Sequence, residues 1–493
     1  MKNDINLCLL GLLTLISFNS FSQNDDFVKP NFPRTATQWQ ALTAHDIEYA
    51  YAQTAANHPG MYDSDNPNFP TLLEDAKQHA LTLAQQVTTP QGYEAAIARF
   101  NTILQDGHAG AVAVLPDEFK LPRRWPEFSA VWRGDSLRVY YSEHHKVNKG
   151  DTIIRCNNTD IKTLMRETLF NFHGEVDQPG HWWNQGWRLL IDDGNPFLPK
   201  LKNCDFVNAN GATYSVILKW SVRPKSVSKQ LKYAYNGDEL PIGLGWPSEN
   251  IAWVAMPTFS PNELQIADYQ TLLDDLTKQR GKLLNAKTVV LDLRHNQGGS
   301  SFWSLKVAEQ LWGEHIVNQK RAQYGRNTQV WWRASEENTN YVESLKVLLK
   351  EQPQMYDMVD KVSAGMKESL EKEAIFYVEE KAASTQAAVV AQSDFNNNVI
   401  VIAPGQCASA CLDAIDTFKL FSNTMLLGAP SSADSTYMEV RLVDTPSGLT
   451  KVIIPNKVYV DRPRGKGAYY KPDIPFNELE WTTQALLARI KKL

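Results

Sequence analysis

The sequence predicts a multidomain protein whose larger, C-terminal part is an α/β domain on a mostly parallel sheet. Three observations predict it. The 493 residues suffice for about three domains at roughly 150 residues each. Beyond about residue 250, apolar strand-like runs alternate with helical ones, which implies a parallel sheet with right-handed crossovers. Ahead of that, a helical stretch gives way to short alternating runs.

From about 36 to 115 the pattern is helical. "TLLEDAKQHALTLAQQV" and "TPQGYEAAIARFNTILQ" place apolar residues at three- and four-residue intervals, the second opening on Thr89 and Pro90. From about 117 to 222, "SLRVYYSE", "DTIIRCN" and "ATYSVILKW" read as strands, with a short helix at "IKTLMRETLF". The Pro- and Gly-marked stretch 223–250 is the next boundary. Then "AKTVVLDLR", "NNVIVIAPG" and "TMLLGAP" read as buried strands, the first two followed by the helical "SFWSLKVAEQLWG" and "ASACLDAIDTFKLF". A helical insertion at about 335–385 separates the first two strands.

Hydrophobic residues at 43% and charged residues at 21% allow large cores. With a net charge of -5 and no basic run, nucleic-acid binding is excluded. Residues 1–22 read as a secretory signal: Lys2, the apolar "LCLLGLLTLISF", then small residues Ser20 and Ser22 before Gln23. No later segment is long and apolar enough to span a membrane, so an exported protein is expected. Cys156, Cys204, Cys407 and Cys411 remain after the signal, an even count that permits disulfides in an oxidising compartment. No C-x-x-C, H-E-x-x-H or Cys/His cluster has metal spacing; neither a metal nor another cofactor is expected. The tryptophans of "HWWNQGW" and "VWW" read as core, with a groove lining as the alternative.

Two small-residue turns lie at strand ends, where open parallel sheets collect ligands: "RHNQGGSS" (294–301) and "GQCASAC" (405–411). Ser409 sits where an apolar run meets a helix start. Unpaired amides and the positive helix end there would stabilise an oxyanion; the bland alternative is an N-cap serine. All ten histidines lie at or before His315, so a histidine base must come from far upstream. His108 in "LQDGHAGA" is the candidate and His295 the competitor. Cys407 and Cys411 flank the serine, and a disulfide between them would constrain its turn.

"TVVLDLRHNQGGSSFW" resembles the D-L-R-x-N-x-G-G strand–turn–helix of the C-terminal processing (tail-specific) and tricorn-like serine peptidases. "VIVIAPGQCASACLDAI" is similar to that family's nucleophile segment, "LLGAPSSADSTY" to the following G-E-P-T-x-G segment, "YYKPDI" to its late P-D motif, and "LQDGHAGA" to its early D-S/G-H-T turn. The resemblance covers most of the chain beyond about 90. It implies a crotonase-like (ClpP-like) α/β peptidase domain over 223–493, after a helical region at 23–116 and a PDZ-like β-rich domain at 117–222. The last rests on "VNKGDTIIRCNNTDIKTLM", similar to the G-D-x-I signature of such domains, which either bind extended chain ends or only brace the catalytic domain.

On this match Ser409 is the nucleophile and His108 the general base. The tail-specific branch carries a Lys where this chain has Asp434, so a Ser–Lys dyad is not expected. The resemblance implies a carboxylate late in the chain to orient His108: Asp461 is the candidate, Asp473 the alternative. Oxyanion donors are expected at Gly298 or Gly299 and at Ala410, while Asp292 and Arg294 hold the loop. The function expected is an exported serine endopeptidase cleaving extended or misfolded polypeptides, with the region near C-termini as a candidate cleavage zone. The alternative is a catalytically inactive homologue that binds peptides or other ligands.

Overall fold

The structure, a computed structural model, describes residues 32–350, 353–380 and 392–493. The signal-like segment 1–22 and part of the 335–385 insertion lie outside them. Three helices open the described chain: Ala36–Asn57, Phe69–Ala84 and Pro90–Leu104. Thr35 caps the first through a reciprocal capping box with Gln38, and Thr89 accepts from the Gly92 amide at the start of the third. The buried faces of these helices, including Ile47, Leu73 and Phe100, pack on Val452, Ile454 and Val458 of a separate sheet. That sheet pairs Gly110–Ala113 with Thr450–Val460, which also pairs with Tyr437–Asp444 and Gln329–Arg333. Segments about 340 residues apart in sequence, near 110 and near 450, are thereby joined in one layer.

A second, antiparallel sheet of six strands runs from Phe128–Arg133 to Thr213–Ile217. Cys156 and Cys204 face each other in register on adjacent strands and form a disulfide. The helix expected at 161–170 is Ile161–Glu167, capped by the Asp160 carboxylate. The 223–250 boundary contains more order than its Pro and Gly content suggested, including a helix at Lys225–Asn236. Val227, Leu231 and Ala234 form its buried stripe.

The central sheet has six strands in chain order: β1 (Gly243–Ser248), β2 (Ile251–Ala255), β3 (Thr288–Asp292), β4 (Asn398–Ala403), β5 (Thr424–Gly428) and β6 (Ile474–Pro475). Only β1 is antiparallel to its neighbour. β2 to β5 are buried throughout or nearly so, as expected of parallel strands covered on both faces. The register sets Asp292 opposite Ile402, so the turns after β3 and β4 emerge side by side. Trp182, Trp183 and Trp332 are buried, so the core reading holds for these rings. Among the described residues, no helix is long and apolar enough to cross a membrane and no His/Cys/Asp/Glu group could hold a metal ion.

Candidate active site

The turn after β3 is held from below by charge and from the side by an amide. Asp292 receives the Arg294 Nε at 3.0 Å and Nη2 at 2.7 Å, and Nη1 donates to the Trp481 carbonyl at 2.8 Å. Both side chains are buried, so they brace the loop and do not face substrate. Asn296 donates to the Met256 carbonyl at 2.9 Å and accepts from the Gly298 amide at 2.9 Å. Gly298 has φ +112°, and a Cβ there would fall 2.8 Å from the Ser409 Cβ. Glycine is therefore required by both conformation and space.

Beyond β4, Ser409 has φ 54° and ψ −128°, an uncommon conformation for a non-glycine residue that costs about 1–3 kcal/mol. Its side chain makes no capping hydrogen bond, although it occupies the N-cap position of the helix Ala410–Phe418. The capping alternative is thus not what this serine does. Ala410, the first helical residue, carries one of the amides a helix leaves without an internal acceptor. Cys407 and Cys411 form a disulfide across this turn.

His108 follows the helix Pro90–Leu104 in a turn closed by Asp106, whose carboxylate accepts the His108 amide at 2.8 Å. Its ring Nδ1 lies 3.1 Å from Asp434 Oδ1. Burial alone would lower the His108 pKa, but the Asp434 carboxylate beside it raises it to about 9. Burial would raise the Asp434 carboxyl, yet His108 and Arg464 together hold it below the usual carboxylate range. Asp434 Oδ1 also accepts the Ser435 amide at 3.0 Å, and Arg464 stands 3.4 Å from Oδ2.

His108, Gly299, Ser409 and Ala410 line one small cavity, together with Ser301 and Asp413. Met438, Glu439, Val440, Tyr459 and Arg462 form its other walls. Asp413 accepts from Ser301 Oγ at 2.6 Å and pairs with Arg462 and Arg464. Burial opposes its charge, but the two guanidinium groups hold its pKa at about 2. A wider cleft, lined by Tyr140, Lys149 and Tyr233 among others, contains none of the candidate residues.

Two expectations are corrected. Asp461 does not meet His108: it is exposed at the end of Thr450–Val460, with φ 55°, and its carbonyl accepts from Thr328. Asp473 is also elsewhere, accepting the Leu426 amide at 2.7 Å beside Lys419. The carboxylate on His108 is Asp434. Gly298 also changes role, because its amide is taken by Asn296, which leaves Gly299 and Ala410 as the candidate donors. His295, the competing base, is set toward Glu239; burial lowers its pKa and Glu239 raises it, with a net fall. Sequence reasoning misses the half-buried Asp413 and Arg462 and the buried Arg464, charges with no local motif, and marks Asp434 only as the absence of a lysine.

A strained serine at a strand-to-helix turn, an ion-paired histidine and the start of a helix thus meet around one cavity. Residues 250–469 match the family model of Peptidase family S41, so this stretch is a serine-type S41 peptidase domain. Among solved structures, mature CPAF is 12% identical with a TM-score of 0.60, covering 92% of this chain and 97% of that one. Mature CPAF complexed with lactacystin is likewise 12% identical, with a TM-score of 0.59 and coverage of 92% and 98%. At this identity the likeness is one of fold. No curated protein matches the chain.

Proposed function

We propose that the chain is an exported serine endopeptidase that cleaves extended or misfolded polypeptides through Ser409, His108 and Asp434. The observation that carries this reading is Ser409, strained and free of capping bonds, sharing a cavity with a histidine whose far side is paired with a buried carboxylate. With Nδ1 toward Asp434, Nε2 is the nitrogen left to take the Ser409 proton. Attack on the scissile carbonyl gives a tetrahedral oxyanion, stabilised by the amides of Gly299 and Ala410. His108 then returns the proton to the leaving amine, and water attacks the acyl-enzyme by the same route in reverse. The 223–493 region is read as a crotonase-like domain and 117–222 as a PDZ-like one that presents chain ends to it.

The test is labelling of the mature protein by a fluorophosphonate probe, beside Ser409→Ala and His108→Ala. Labelling lost in both variants supports the Ser–His pair. Loss in Ser409→Ala alone would move the base elsewhere. A folded protein that does not label is the inactive, peptide-binding homologue instead.

A further inference from the structure

We propose that the Cys407–Cys411 disulfide is a positioning crosslink for the nucleophile, so that Ser409 reaches full reactivity only in the oxidised chain. The inference rests on reading Ser409 as the nucleophile. Ser409 is the middle residue of the five that this bond closes into a ring. Its positive φ has to be imposed from outside, since its own side chain makes no capping bond. Within the turn, Ser409 contributes only its carbonyl, which accepts the Leu412 amide at 2.8 Å and the Asp413 amide at 3.2 Å. Those bonds belong to the helix; the loop ahead is held by the Cys407 amide on the Pro404 carbonyl at 3.1 Å and the Cys411 amide on the Ala408 carbonyl at 3.0 Å, neither of which ties it covalently to the helix. The disulfide does, by tying Cys407 in the loop to Cys411 in the first helical turn.

The size of the ring argues for this local role. A crosslink removes unfolded-state freedom in proportion to the logarithm of the loop it closes. The Cys407–Cys411 loop, with a sequence separation of 4, contributes about half as much that way as Cys156–Cys204, with a separation of 48. Both sulfurs are fully buried among Ala410, Leu412 and their neighbours. As thiols they remain small, uncharged core groups, so the fold accommodates either state. What changes is the freedom of the turn.

Forming the bond takes two electrons and two protons from the thiols. Thiol–disulfide exchange passes both to a small-molecule disulfide, which leaves as two thiols. A chain still in a reducing compartment is thereby a weak peptidase. It gains reactivity on reaching an oxidising one.

The experiment uses the mature chain carrying Cys156→Ala and Cys204→Ala, which leaves one reducible bond. Fluorophosphonate labelling and peptide hydrolysis are measured on the oxidised protein, after reduction by a small dithiol, and after re-oxidation, with thiols counted by alkylation and mass. Reduction is expected to slow labelling at least about tenfold, as displaced reacting groups do. It should lower kcat in step while KM stays within about twofold, and re-oxidation should restore both. Cys407→Ala/Cys411→Ala in the same background should behave like the reduced form with its cooperative melt retained. Equal labelling of oxidised and reduced protein overturns this inference alone. So does a slowing that comes only with loss of the melt. An oxidised chain that does not label, matching Ser409→Ala, overturns the nucleophile reading and this inference together.

Discussion

His108 and Asp434 form an ion pair at 3.1 Å, although one lies near the start of the chain and the other near its end. The carboxylate raises the imidazole pKa to about 9 despite burial. A base with that pKa is mostly charged at neutral pH. We expect kcat/KM for a peptide substrate to climb as pH rises toward about 9, read from a pH–rate profile. Stability runs the opposite way. The pair's contribution is complete below the ordinary histidine value of 6.5 and is lost as pH rises through about 9, which thermal melts across that range would follow.

Asp434→Asn should shift the rising limb of that profile to lower pH, because the charge holding the proton on His108 is gone. The plateau should fall by about 10²–10⁴-fold through loss of tautomer and orientation. Asp461→Asn is the matched control, with activity unchanged and stability within about 0.5 kcal/mol, as for an exposed position. An unmoved limb in Asp434→Asn would detach this carboxylate from the base.

Gly298→Ala tests the close approach of the two turns. The new Cβ would press on the Ser409 Cβ at 2.8 Å and the Ala408 carbonyl at 2.9 Å, at a φ that favours glycine. A loss of about 1–3 kcal/mol, in the range for overpacking, should accompany a strong fall in peptide hydrolysis. Denaturant titration and a peptidase assay read the two separately.

Arg294→Met leaves Asp292 buried without its partner. Breaking such a pair costs about 3–5 kcal/mol, so the variant's unfolding midpoint in urea should drop markedly. Since Arg294 also donates to the Trp481 carbonyl, the C-terminal segment should become more open to proteolysis.

Cys156→Ala/Cys204→Ala should destabilise the β-rich sheet by about 2–4 kcal/mol while leaving Ser409 reactivity in place. Urea unfolding followed by tryptophan fluorescence, beside probe labelling, checks both halves of that statement.

The strands around the two turns of the candidate site were legible because each is a short apolar run followed by a small-residue turn. Asp292, Gly298, Gly299 and Ser409 all fall where that pattern put them. Asp434 was not legible as a partner of His108, since nothing local announces a contact made by pairing Gly110–Ala113 with Thr450–Val460. Asp461 was chosen from its place late in the chain, but the strand before it carries its side chain out to solvent. The helix Lys225–Asn236 was hidden by the prolines and glycines around it, although Val227, Leu231 and Ala234 have helical spacing. Asp413, Arg462 and Arg464 resemble ordinary surface charges until the fold brings them together.

The strand Gly110–Ala113, two residues past His108, has a single partner strand among the described residues, and that partner ends at residue 460. During synthesis the histidine turn can lean on the helix Pro90–Leu104, through Asn101 and Ala111, but its sheet partner arrives only when nearly the whole polypeptide has emerged. A chain that stops short of Asp434 and Arg462 therefore lacks the carboxylate on His108 and one wall of the cavity.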